Sequence, residues 1–170
     1  MARRSSLREF QERLARRLAE ARTADRRGLL GFQAGSENWL IDLAEAGEIL
    51  PPPPLAAVPL TQPWYRGLAN VRGTLYGVVD LASFHGQAPT PLGERSRLLL
   101  AGTRLGIHSA LLVTASAGLR SADDFEADPG AGDARPWVGK RLRDARGHPW
   151  LQLDAARLLA APRFLDASVE

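Results

Sequence analysis

The sequence predicts a mainly β protein built as two small barrels that share one core. Three observations carry this. Apolar segments are short and separated by glycine- and proline-rich turns, only the two ends of the chain read as helical, and one motif occurs twice. At 170 residues with 45% hydrophobic side chains, the chain is long enough to bury a substantial core. No apolar run approaches the roughly 20 residues a membrane span requires. The N-terminus starts basic but lacks an uncharged apolar stretch, so it makes a poor signal peptide. Cysteine is absent, which excludes disulfides and thiolate metal sites and favours a cytoplasmic location.

Residues 6–22 are predicted helical, within an N-terminal segment 1–27 distinct from the body. Ser6 with Glu9 fits a capping box, and Leu7, Phe10, Leu14, Leu18 and Ala21 recur at helical spacing. Arg8, Arg13, Arg16, Arg17 and Arg22 fall mostly off that stripe. The expectation is a helix packed on the body with its arginines in water, with a membrane-surface or partner-docking helix as the alternative. Residues 1–30 hold nine arginines against Glu9, Glu12, Glu20 and Asp25. Since the whole chain is +3, the remainder is slightly acidic. Nucleic-acid affinity is therefore conceivable only for the arm, and none is expected of the body.

Leu29–Gln33 and Asn38–Leu43 are strand candidates around the turn Ala34-Gly35-Ser36-Glu37. Pro51-Pro52-Pro53-Pro54 marks residues 50–63 as an extended connector. Gly67, Gly73 and Gly77 mark turns or places of close backbone approach, and Leu75–Leu81 reads as a largely buried strand. Leu98–Leu100 and Ile107–Val113 form a further strand pair around Ala101-Gly102-Thr103-Arg104. Residues 121–136, rich in Asp, Ala, Gly and Pro, read as a mobile loop. Pro149–Leu153 is the last strand, after which Asp154 caps a short helix that Pro162 ends.

The repeat aligns Arg72-Gly73-Thr74-Leu75-Tyr76-Gly77-Val78-Val79-Asp80-Leu81-Ala82 with Arg146-Gly147-His148-Pro149-Trp150-Leu151-Gln152-Leu153-Asp154-Ala155-Ala156. Trp64 and Trp137 precede the two copies at nearly equal distance. The spacing is too long for a solenoid and points to two similar β units.

No familiar catalytic motif is present: no Gly-x-Ser-x-Gly elbow, no P-loop, no Gly-x-Gly-x-x-Gly after a strand. His85, His108 and His148 are scattered, with no zinc spacing, and read as turn or surface residues. Asp123, Asp124 and Glu126 read as a charged first turn or solvated loop, not a metal site. A hydrolase would need Asp80, Asp154 and a histidine to converge in space. Equivalent places in a repeat favour equivalent structural roles at strand ends. No catalytic residue, metal ligand or cofactor is assigned.

At residues 58–84 the pattern becomes recognisable. Val58-Pro59, Pro63-Trp64-Tyr65-Arg66-Gly67-Leu68-Ala69-Asn70-Val71-Arg72-Gly73 and Val78-Val79-Asp80-Leu81 resemble the signature of CheW-like coupling proteins. Leu68 and Val71 are conservative departures. The resemblance extends in order over about residues 28–160 and sets a domain at 28–162, followed by a tail at 163–170. The N-terminal helix, the Glu48-Ile49-Leu50-Pro51 step, Pro63-Trp64 and Pro162–Leu165 resemble more narrowly the members that serve type IV pilus (twitching) chemosensory systems.

The resemblance implies a CheW-like fold of two five-stranded SH3-like barrels. It implies a non-catalytic adaptor binding the regulatory domain of a CheA-type histidine kinase and the cytoplasmic hairpin tip of a chemoreceptor. It also implies recruitment to receptor arrays without membrane insertion. The family's turn arginine pairs with the glutamate of the Glu-Ile step, which carries over to Arg72 and Glu48. The partner-binding candidates are Glu48, Leu68, Asn70, Val71, Arg72 and Gly73, and the structural positions are Gly67, Asp80 and Asp154. Thr114-Ala115-Ser116 stand where the family usually shows an acidic pattern.

Overall fold

The computed structural model describes residues 6–25, 28–130 and 132–169, with only the backbone described at 6–8 and 20–25. Helix α1 (Ser6–Asp25) leads into β1 (Gly28–Ala34), β2 (Glu37–Asp42), β3 (Ala46–Leu50), β4 (Leu55–Ala56), β5 (Tyr65–Val71) and β6 (Thr74–Asp80). Then follow α2 (Leu81–Phe84), β7 (Arg97–Ala101), β8 (Ser109–Val113), β9 (Ala115–Ser121), β10 (Phe125–Ala127), β11 (Val138–Asp144) and β12 (Pro149–Leu153). Helices α3 (Ala155–Ala160) and α4 (Pro162–Leu165) close the chain.

The strands form two six-stranded sheets, ordered β10-β11-β12-β2-β1-β9 and β4-β5-β6-β8-β7-β3. Position by position, the two orders carry the same pairings: each has one parallel pair, β12 with β2 and β6 with β8, flanked by antiparallel ones. Where five strands per unit were expected, the sixth is a short edge strand, β10 or β4. The duplication read in the sequence extends to single hydrogen bonds. Asp80 N–H donates to the Trp64 carbonyl at 2.8 Å, and Asp154 N–H donates to the Trp137 carbonyl at 2.8 Å. Asp80 caps α2 through Ser83 N–H, and Asp154 caps α3 through Arg157 N–H.

The continuous apolar runs follow from burial on both faces of a strand. In β8 all five residues are buried. One face of the second sheet fills its own interior with Ala69, Val71, Val78, Leu98, Leu100, Ala110 and Leu112. Leu29, Leu40 and Trp150 do the same in the first. The opposite faces meet in the largest cluster, which joins Phe32, Trp39 and Ile41 of one sheet to Val79, Leu99, Leu111 and Val113 of the other. Phe84, Trp137, Leu158 and Phe164 are sealed into it, with Phe84 edge-on to Trp64 and Phe164.

Several elements differ from expectation. Helix α1 exposes Phe10, Leu14 and Leu18, so this stretch of the stripe is not buried on the body. Residues 50–63 include β4, which passes so close to β5 that a Cβ at Gly67 would stand 2.1 Å from the Ala56 carbonyl oxygen. Of the two roles expected for Gly67, it therefore takes that of close backbone approach, in mid-strand at φ +114°. The strand expected from Ile107 begins only at Ser109, because a 3-10 turn at Thr103–Leu105 ends in left-handed Gly106. Residues 121–136 are not all loop: Ser121 and Asp124 form a capping box over a 3-10 turn, and β10 pairs with β11. In the tail, Phe164 is buried, and Thr61 bridges Ser168.

The two repeat-related aspartates sit in different surroundings. Asp80 is fully buried and accepts from Arg66 (2.9 Å), Thr90 N–H (2.7 Å) and the Thr90 hydroxyl (2.8 Å). Asp154 is partly exposed and holds only Arg157. Asp80→Ala should therefore cost about 3 kcal/mol or more, since it strands the largely covered Arg66 charge. Asp154→Ala should cost about 1 kcal/mol as a lost cap. Urea unfolding at constant m-value measures both.

Candidate functional site

The β5–β6 hairpin closes through two residues, since Val71 pairs with Thr74. Arg72 and Gly73 both lie at positive φ, +52° and +84°, the primed turn whose twist suits a tight hairpin. Glycine adopts this freely, but at Arg72 it costs on the order of 1 kcal/mol. Asn70 helps hold the turn, its Oδ1 accepting from Gly73 N–H at 2.9 Å.

The Arg72 guanidinium meets Glu48 as a two-pronged fork, each N–H···O distance 2.6 Å. Glu48 is on β3, the edge of its sheet, and three strand pairings separate β3 from β6. The contact therefore closes across a curled sheet. The Arg72 hydrogen bonds hold the Glu48 carboxyl below its usual range, and Glu48 raises Arg72 in turn. Both side chains are well exposed, so the fork adds little stability and mainly fixes orientation.

Val71, a candidate contact residue, is buried in the interior of the second unit and fills it from the turn end. Leu68 is half-buried opposite Gly77. The exposed apolar side chain beside the turn is Leu75, 57% exposed and paired across the strands with Asn70. The sequence reading placed Leu75 inside a buried strand. Its exposure follows from its place at the turn end of β6, since Val79 on the same face is buried. Thr114, in the segment lacking the acidic pattern, accepts from Gly35 N–H at 2.9 Å and so ties down the β1–β2 turn.

A second polar cluster was not anticipated. Arg135 forks onto Glu37 (2.8 and 3.0 Å) and Asp133 (2.7 and 2.8 Å), and lies 5.1 Å over the Trp39 ring. His85, read from the sequence as a turn or surface residue, has a side chain only 3% exposed, stacked between Trp39 and Trp137. Trp137 Nε1–H donates to its Nε2 at 3.0 Å. Among the described residues the two carboxylates of the hydrolase alternative hold groups other than a histidine. Asp80 serves Arg66, Thr90 and Ser83, and Asp154 serves Arg157. His148 pairs with Asp144, while His108 stands against Tyr76. Among the described residues no group of three acidic or histidine side chains could hold a metal ion. None of the described helices is long and apolar enough to cross a membrane.

Comparison with known proteins gives a consistent result. Residues 28–163 match the family model of the CheW-like domain. The chain is 29% identical over 144 residues to Protein PilI of Pseudomonas aeruginosa, covering 82% of this chain and 79% of that one. It is 26% identical over 99 residues to a probable chemotaxis protein CheW of Rhizobium etli, covering 58% of this chain and 64% of that one. The solved structure of the scaffolding protein TtCheW from Thermoanaerobacter tengcongensis superimposes with a TM-score of 0.62 at 18% identity, covering 75% of this chain and 88% of that one.

Burial between the indoles, reinforced by the Arg135 charge, pushes the His85 imidazole down from 6.5 to about 4. Between these values the unfolded chain binds a proton that the native one refuses. Stability should thus fall on acidification from pH 6.5 to about 4, by roughly 1.4 kcal/mol per pH unit from this group, and level off below. An NMR titration should find the His85 midpoint near 4, and His85→Leu should remove that part of the pH slope.

Proposed function

The chain belongs to the family of CheW-like domains, and from that premise we propose that it is a non-catalytic adaptor coupling a chemoreceptor to a CheA-type histidine kinase. The observation that carries the reading is the exposed Asn70–Gly73 turn, locked by the Arg72–Glu48 fork and bordered by Leu75. An adaptor needs no reacting group. It needs surfaces held at fixed geometry to one another, and the core shared by the two units provides that.

On this reading the receptor's cytoplasmic hairpin tip docks on the face formed by Glu48, Leu68, Asn70, Arg72 and Gly73, with Leu75 as the added apolar contact. Val71 acts from beneath by filling the barrel. The kinase's regulatory domain takes another face. A contact of this kind buries on the order of 800 Å² per partner or less, with a few residues supplying most of the affinity. The protein would work in the cytoplasm at membrane-associated receptor arrays. Assignment to pilus-linked twitching control rests on the likeness to the pilus members at the N-terminal helix, the Glu48–Pro51 step and Pro63-Trp64.

Arg72→Glu should weaken binding of a receptor hairpin fragment about tenfold or more in a pull-down or titration, with unchanged circular dichroism and retained kinase binding. The charge swap Glu48→Arg with Arg72→Glu restores an ion pair across the sheet while inverting the face. If it regains receptor binding, the fork matters only for shape. Unchanged binding by Arg72→Glu alone removes Arg72 from the contact.

A further inference from the structure

Helix α1 lies wholly outside the residues matched by the family model. Its described side chains, from Glu9 to Ala19, are all exposed, and Phe10, Leu14 and Leu18 are 58%, 48% and 56% exposed. The described part of the stripe, open from Phe10 to Leu18, calls for a partner surface, and the arrangement of charge around it selects its kind.

At about 100° per residue, Phe10 and Leu18 flank Leu14 by roughly 40° on either side. Arg17 and Arg13 border the stripe on the Phe10 side at roughly 60° and 100° from Leu14, while Glu9, Glu12 and Arg16 lie roughly 140°, 160° and 160° away. Arginines edge one side of the apolar face, and Glu9 and Glu12 lie away from it. A two-helix seam through Leu14 would run through positions 10, 14 and 17 or 11, 14 and 18, and Arg17 or Gln11 would then sit where an apolar knob is required. A lipid surface accepts the same pattern, because arginine lays its stem along the apolar face and lifts its charge to the headgroups. The arm is strongly cationic, with nine arginines against four carboxylates in residues 1–30, while the rest of the chain is slightly acidic. An anionic surface would therefore attract the arm and leave the body turned away.

We propose that α1 is an interfacial helix that docks reversibly on anionic lipid bilayers through Phe10, Leu14 and Leu18, with Arg13 and Arg17 engaging the headgroups. The proposal is independent of whether the Arg72 turn contacts a receptor.

The test is co-sedimentation of the full chain with vesicles of phosphatidylcholine alone or mixed with phosphatidylglycerol. Binding should require phosphatidylglycerol and fall as salt shortens the Debye length. Arg13→Gln with Arg17→Gln should weaken binding about fivefold per arginine. Leu14→Glu should abolish it while leaving the urea midpoint of the body unchanged. Absence of binding to the anionic vesicles overturns the proposal. So does equal binding to both vesicle types, or binding that survives Leu14→Glu, which would mean diffuse attraction without insertion. Capture of α1 by an acidic protein helix, with vesicles unbound, assigns the stripe to a protein partner instead.

Discussion

The apolar layer between the two sheets is the constraint on which the rest depends. Phe32, Trp39 and Ile41 from one sheet and Val79, Leu99, Leu111 and Val113 from the other face the same space. Each sheet thus gives one face to its own interior and the other to its twin. Neither unit is covered without the other, because separation would return all of these side chains to water at roughly 25 cal/mol per Å² of apolar surface. The aromatic set of Trp64, Phe84, Trp137 and Phe164 extends the layer to α2 and α4. The position of the Arg72 turn relative to the first unit follows from this layer.

The turn also shows two kinds of interaction at work. Its backbone stands in a region that arginine occupies at a cost, and Asn70 and the Glu48 fork hold it there. The fork lies in water and adds little to the free energy of folding. Stability and geometry are therefore supplied by different groups. Buried Val71 and Val78 anchor the hairpin, and exposed charges aim it.

Much of the fold was legible because burial on two faces writes itself into the sequence as short apolar runs such as Leu98–Leu100 and Ala110–Val113. The repeat was legible because the same carbonyl–amide contact, Trp64 to Asp80 and Trp137 to Asp154, constrains both copies. The strands with little sequence signal lie at or next to an edge of the first sheet. Strands β9 and β11 are mostly exposed or half-covered, and Val-Gly-Lys-Arg-Leu-Arg-Asp offers only Val138 and Leu142 as apolar signals. The Arg72–Glu48 pairing was reached only through family resemblance. Two residues 24 positions apart on different strands leave no local periodicity to read. The same holds for His85, whose burial is created by Trp39 and Trp137, each about 50 residues away.

The second sheet is made of one unbroken stretch, β3 to β8, whereas the first takes β1 and β2 from one end of the chain and β9 to β12 from the other. On the ribosome, residues 46–113 can pair with one another as soon as they emerge. Trp39 must wait for Leu151, its neighbour in the parallel ladder, which lies 112 residues further along the chain (151 less 39). The hairpin of β1 and β2 spends that interval with its central partner missing and its apolar side chains open. Such late closure lengthens the time over which nascent chains can associate wrongly. The early-formed second unit, already carrying half of the shared layer, offers that hairpin a nearby apolar wall to rest against in the meantime.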